Sequence, residues 1–180
     1  MAPVLGAFLA GPASAVVLEG AIVRQTGNGQ FVILDAGEVF AVGEDNFDDD
    51  NLYAFNEDQN IVLDRAIRVD IGAQEGLIPE GTTVASHYVF FDAVRGTHLG
   101  FVIFDAPILG VAAFQDTMAA TDFLANNEVV YLSPELRGLE EGDEVWIDSD
   151  DPNKLWVFWS GSSPGDYIRV FTERSPGAMM

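Results

Sequence analysis

The stretch TVASHYVFFDAVRGTHLGFVIFDAPILGVAAF, Thr83 to Phe114, decides the fold. It holds three β-branched and aromatic runs: Val84 to Ala93, His98 to Asp105, and Ile108 to Phe114 after Pro107. Val94-Arg95-Gly96-Thr97 separates the first two, and a short glycine-bearing turn between such runs predicts a β-hairpin. With Arg95-Gly96 at the turn, the expected register sets Phe91 opposite Gly100, Val89 opposite Val102 and His87 opposite Phe104, so that an aromatic-aliphatic layer builds on one side. Both faces are largely apolar, which suits strands in the middle of a two-sheet sandwich better than an edge.

Outward from this stretch, short strand-like runs recur between Gly, Pro, Asn and Asp. Val16 to Gln25, Phe31 to Leu34 and Val39 to Val42 precede it, and Ile61 to Ile71 alternates Ile67, Val69 and Ile71 against Arg68 and Asp70. Gly43 to Asn60 is strongly acidic and reads as a loop, and Gly76 to Gly81 reads as a turn into the central stretch. After it, Asp116 to Asn126 is the one helical-looking segment, expected as one short amphipathic helix with Asp116 as its cap. Val129 to Leu132, Glu144 to Asp148, Leu155 to Trp159 and Tyr167 to Thr172 complete the strands. The spacing predicts an all-β protein, an antiparallel β-sandwich of jelly-roll type with one short α-helix, formed as a single domain over residues 16–178.

The chain has 180 residues, enough to bury a core without staples, and no cysteine, so thiol nucleophiles, disulfides and thiolate metal sites are excluded. Eight Lys and Arg stand against 29 Asp and Glu, a net charge of −21. A phosphate backbone is held by clustered cations, and the cations here are scattered singly, so nucleic acid is not an expected partner. Such a surface suits solubility, cation binding or salty surroundings. Residues 1–15, MAPVLGAFLAGPASA, carry an apolar run and then Ala13-Ser14-Ala15, the A-x-A form of a signal-peptidase site, although no Lys or Arg precedes the run. The expectation is export to the periplasm or the extracellular space, with a mature chain from Val16; a buried strand or short helix is the alternative. No other stretch approaches the ~20 apolar residues of a membrane-spanning helix.

Chemistry-bearing motifs are few. Gly161-Ser162-Ser163-Pro164-Gly165 has the form G-x-S-x-G, but the residue after the serine must lend a backbone N–H to an oxyanion hole, and Pro164 has none. It reads as a loop. His87 and His98, ~20 Å apart in the expected register, cannot share a metal, and His87 reads as a half-buried strand residue. Calcium takes 6–8 oxygen ligands, which two acidic loops could supply: Asp45, Asp48 and Asp50 in the first, Asp148, Asp150 and Asp151 in the second. Neither matches the EF-hand spacing; weak, stabilising calcium binding is expected if they are more than solvated charge runs. Trp146, Trp156 and Trp159 cluster in the last third. Strand alternation sends Trp156 and Phe158 to one face and Val157 and Trp159 to the other, so one face joins the core; burial of the other tryptophan between the sheets or at a subunit contact is the first expectation, and exposure to a ligand such as a sugar ring is the alternative.

The segments LIPEGTTVASHYVFFDAV, FVIFDAPILGV, TDFL, YLSPELRGLEEGD and SPGDYIRVFTERSPGA, between Leu77 and Ala178, resemble a group of uncharacterised secreted bacterial proteins, some of which end in a sorting segment of the PEP-CTERM type. The resemblance implies export and a β-rich fold and carries no activity. The end of this chain, Ser175 to Met180, lacks the apolar anchor and basic tail of the sorted members. The expected function is that of an exported, non-enzymatic binding or surface-matrix module whose partner is a glycan or another cell-surface component, with Trp156 and Trp159 as the ligand-binding candidates. A glycan-directed hydrolase using paired carboxylates and a structural or assembly protein are the alternatives.

Overall fold

The computed structural model describes residues 16–35, 39–44, 46–93, 95–162 and 165–174. The leader-like residues 1–15, the tail from Ser175 and the candidate ligand Asp45 lie outside them. Fifteen strands follow in order: β1 (Val17–Gln25), β2 (Phe31–Ile33), β3 (Ala41–Val42), β4 (Leu52–Asn56), β5 (Ile61–Val62), β6 (Ile67–Arg68), β7 (Ile71–Gly72), β8 (Leu77–Ile78), β9 (Thr83–Phe91), β10 (Arg95–Phe104), β11 (Ile108–Ala112), β12 (Val130–Tyr131), β13 (Glu144–Ile147), β14 (Lys154–Ser162) and β15 (Asp166–Glu173). One α-helix, α1 (Gln115–Ala120), sits between β11 and β12.

The fold is an all-β sandwich. A four-stranded sheet, β1-β10-β14-β13, packs on a seven-stranded sheet, β2-β4-β9-β15-β11-β7, with β5 also on β9. Leu52, Val89, Phe91, Val102, Phe104, Leu155, Val157, Trp159, Ile168 and Val170 fill the space between them. A second core lies on the other face of the larger sheet, built from Tyr53, Phe55, Tyr88, Phe90, Tyr167 and Phe171. Met118 of α1, Val42 at the β3-β12 ribbon and Ile78 of β8 join it from above. The larger sheet is therefore the middle of three layers. The two sheets are unequal and two ladders, β2 with β4 and β3 with β12, are parallel, so the jelly-roll detail of the expectation is not confirmed.

The expected hairpin does not form. β9 pairs with β4, β5 and β15, while β10 pairs with β1 and β14 in the opposite sheet. The chain passes from one sheet to the other after Asp92 and Ala93, and the two strands face each other across the core. Phe91 then meets His98 with ring centroids 4.0 Å apart, and His87 meets Phe104 at 4.7 Å. The burial patterns explain the separation. Every residue of β9 from Val84 is buried, whereas β10 alternates, burying His98, Gly100, Val102 and Phe104 and leaving Leu99, Phe101 and Ile103 on a partly open face. A strand apolar on both sides belongs in the middle layer, and a one-sided strand belongs in an outer one.

Three further differences follow from packing. The acidic stretch expected to be a loop contains β4, whose Leu52, Tyr53, Ala54 and Phe55 are all buried; four such residues in a row, on both faces, outweigh the charges flanking them. Ile61 to Ile71 keeps the expected alternation but breaks into three two-residue strands. The helix is capped from Phe114 rather than Asp116. Its entry is held by Asp70, whose Oδ2 accepts the Ala113 and Phe114 N–H groups at 2.7 and 3.1 Å and the Thr117 hydroxyl. A carboxylate there satisfies donors that the first turn leaves unpaired.

Candidate functional site: an aromatic row on the outer sheet face

The four-stranded sheet buries one face and leaves the other open. On β14, Leu155, Val157 and Trp159 point into the core, and Lys154, Trp156 and Phe158 point out. Of the two tryptophans singled out in the sequence, Trp159 thus has no exposed surface, and only Trp156 can meet a ligand. Ladder register builds the site around it. Trp156 stands opposite Trp146 of β13 on one side and Phe101 of β10 on the other, and Phe101 stands opposite Ala21 of β1. One cross-strand row therefore runs the full width of the sheet, and the next row along is Glu144, Phe158, Leu99 and Arg24.

The rings in the row are fixed by their neighbours. Trp146 and Trp156 have centroids 6.0 Å apart and planes within 9°, and Phe101 meets Trp156 edge-on at 5.4 Å. The Trp156 indole N–H donates to Asp148 Oδ2 at 2.7 Å. Lys154, the chain's one lysine, sets Nζ 4.3 Å from the centroids of both Phe101 and Trp156, so its ammonium is held against two ring faces. Trp146 is 38 % exposed, and Leu18 and Val23 of β1, each 52 % exposed, extend the apolar surface to the far edge. Thr97 and Ser160, paired across β10 and β14, add hydroxyls at one end of the face. The charges here are mixed: Arg24, Arg95 and Lys154 share the face with Glu19, Glu144 and Asp148, and Asp143 accepts the Ser160 N–H at 2.9 Å at one end.

Asp148 orders both the turn beside it and a ring of the row. Its Oδ1 accepts the Asp150 and Asp151 N–H groups at 2.9 and 3.2 Å, closing the turn into β14, while Oδ2 holds Trp156. The Trp156 N–H, ahead of those two backbone donors, keeps the carboxyl below its usual range. Asp151 Oδ1 accepts the Asn153 N–H at 3.0 Å, and Asp150 is exposed. In the other acidic loop, Asp50 Oδ2 accepts the Asn28 N–H at 3.2 Å, and Asp48 is exposed with φ of 50°. Asp49, not singled out in the sequence, accepts the Tyr53 hydroxyl at 2.6 Å and the Asn51 N–H at 2.9 Å. Among the described residues no group of three or more His, Asp or Glu side chains is placed to hold a metal ion.

His87, His98 and Asp166 are interior. His87 is fully buried, not half-buried; Nδ1 donates to Asn56 Oδ1 at 2.9 Å, Nε2 lies 3.2 Å from the Thr172 hydroxyl, and burial lowers its pKa to about 3. His98 is 1 % exposed and lowered to about 4 by burial. Both are neutral at pH 7. Asp166 is the opposite case: burial first, then the charge of Asp143 and a hydrogen bond with it, raise its carboxyl to about 9. These two carboxyls touch each other. A glycoside hydrolase holds its pair roughly 5–9.5 Å apart across the scissile bond, so this pair is not arranged as such a site.

One buried ion pair was not visible in the sequence. Glu57 and Arg169, 112 residues apart and both buried, form a two-pronged ion pair with contacts of 2.6 and 2.9 Å. Arg169 Nη1 also donates to Met118 O, Thr121 Oγ1 and Asp122 Oδ1. Glu57 receives the Ser86 and Tyr131 hydroxyls at 2.8 and 2.6 Å. Arg137 grips both Asp122 oxygens at 2.7 and 2.8 Å. The network ties the helical cover to the middle sheet, with each charge answered by an opposite one. Comparison with protein-family models, with curated proteins and with solved structures returns no match.

Proposed function

We propose that the protein is an exported, non-enzymatic binding module that holds an uncharged glycan on the outer face of its four-stranded sheet. The observation that carries this reading is the row Trp146-Trp156-Phe101, aligned by the ladder and held in place by Asp148 and Lys154. Flat sugar faces gain from aromatic C–H contacts, and rings already immobilised lose little entropy when a ligand arrives. Charge supports the choice of ligand. A second acidic chain or an anionic polymer would approach against the field of −21 charges, whereas a neutral polysaccharide meets no such opposition. The buried, neutral histidines and the touching Asp143-Asp166 pair support binding rather than hydrolysis.

The test is a glycan array of neutral and uronate-bearing polysaccharides, followed by titration of tryptophan fluorescence with any hit. Neutral glycans should bind and shift the emission, and Trp156→Ala or Trp146→Ala should weaken binding more than ten-fold with the fold intact. Binding confined to anionic glycans, or unchanged by both substitutions, would overturn the proposal. Light scattering runs in parallel, since self-association through the same face would support the structural alternative instead.

A further inference from the structure

A cavity lined by none of the residues of the aromatic row lies elsewhere on the molecule. It sits between the β7-β8 turn and β11 and has a volume of about 660 Å³. Its wall is mostly apolar, with Leu77, Ile78, Pro79 and Leu109 among the residues that form it. Two carboxylates, Glu75 and Glu80, also line it, and no Lys, Arg or His does among the described residues. That size and lining are those of small-molecule pockets, which pair an apolar body with a few placed polar groups.

The wall is rigidly built. Within residues 72–76, Gly72, Ala73, Glu75 and Gly76 all have positive φ, at 77°, 34°, 59° and 68°. Alanine and glutamate rarely adopt this region, and strained backbone of this kind persists only where its surroundings hold it. Here the Ala73 N–H donates to Leu109 O at 2.9 Å and the Val69 N–H to Gly76 O at 3.0 Å, which fixes both ends of the turn. The conformation also brings Ala73, Gln74 and Glu75, three consecutive residues, all to the cavity.

We infer that this cavity takes a small organic cation, an ammonium head on a short apolar body. The apolar wall receives the body, and Glu75 and Glu80, both exposed and opposed by no lining cation, receive the head. A carboxylate ligand of the same shape is repelled by both. The chain's net charge of −21 raises the local concentration of any cation, so the test must separate the site from the field.

Phenethylammonium is titrated into the full chain at fixed ionic strength beside its neutral isostere 2-phenylethanol and the anion hydrocinnamate, with amide shifts followed by NMR. The expected result is that phenethylammonium moves the Ala73, Gln74, Leu77 and Leu109 amides and binds at least ten-fold more tightly than the alcohol, while hydrocinnamate moves none of them. Glu75→Gln with Glu80→Gln should abolish the preference over the alcohol. Glu128→Gln with Glu135→Gln makes the same change in net charge away from the cavity and should leave the preference in place. Equal binding of cation and alcohol, an equal loss in both double variants, or no shifts at the four amides at millimolar concentration overturns the inference. None of these outcomes bears on the aromatic face, which Trp156→Ala reports separately.

Discussion

Asp166 offers the most direct check of the electrostatic reading. Its side chain is 2 % exposed, it neighbours Asp143 and Glu140, and its carboxyl holds its proton to about pH 9. In the unfolded chain the same group titrates near ~3.9. A pKa raised by folding means that stability is fully present below the unfolded value and is lost as pH rises towards the folded one. Throughout that window the unfolded state releases a proton that the native state keeps, so this group costs about 1.4 kcal/mol per pH unit, or about 2.7 kcal/mol between pH 5 and pH 7. Asp166→Asn keeps the shape and a donor for Asp143 while removing the titration. The assay is urea unfolding of both proteins at pH 5, 6, 7 and 8, followed by tryptophan fluorescence. The stability of Asp166→Asn minus that of the native chain should climb with pH by about that slope, so that the variant gains most at pH 8. A difference that stays flat, or falls, across those four values would refute the buried-proton account, because any purely steric effect of asparagine is independent of pH.

Glu57→Gln leaves the buried Arg169 without its main partner and should destabilise the fold by about 3–5 kcal/mol in the same urea assay; a loss under ~1 kcal/mol would mean that the ion pair is not the cover's anchor. The ring protons of His87 and His98 should show no titration by NMR between pH 5 and pH 8, since burial lowers both well below the ordinary value, and a midpoint near ~6.5 in either would contradict that burial. Gly100→Ala should cost about 1–3 kcal/mol, because the added methyl would stand 2.8 Å from Leu52 Cδ2 and 2.9 Å from Ala21 O; a neutral result would show that β4 can retreat. Asp148→Asn weakens the acceptor that holds the Trp156 N–H and should change the native fluorescence, with a fall in glycan affinity smaller than that of Trp156→Ala.

Much of the aromatic site was legible from β14 alone. The alternation Leu155, Trp156, Val157, Phe158, Trp159 divides the tryptophans between two faces because successive side chains on a strand point to opposite sides, a property of the backbone that needs no partner. Which of the two faces would be core was not legible. Trp159 lies inward because β15, β9 and β11 supply apolar residues beneath it, and Trp156 becomes part of a row only because β13 and β10 arrive in the register that sets Trp146 and Phe101 beside it.

The all-β class, most of the strand positions, the short helix and the acidic surface could be read from local sequence, since each is expressed over a few neighbouring residues as periodicity, turn chemistry or composition. Long-range packing, by contrast, made β9 and β10 face each other instead of pairing, made LYAFN a buried strand inside an acidic stretch, and brought Asp148 to a tryptophan. It also decided that Glu57 meets Arg169 across 112 residues of chain. Local pattern says which way a side chain points along its own strand. Which sheet that strand joins depends on the total apolar surface that each possible set of partners removes from water, and those partners lie far away in sequence.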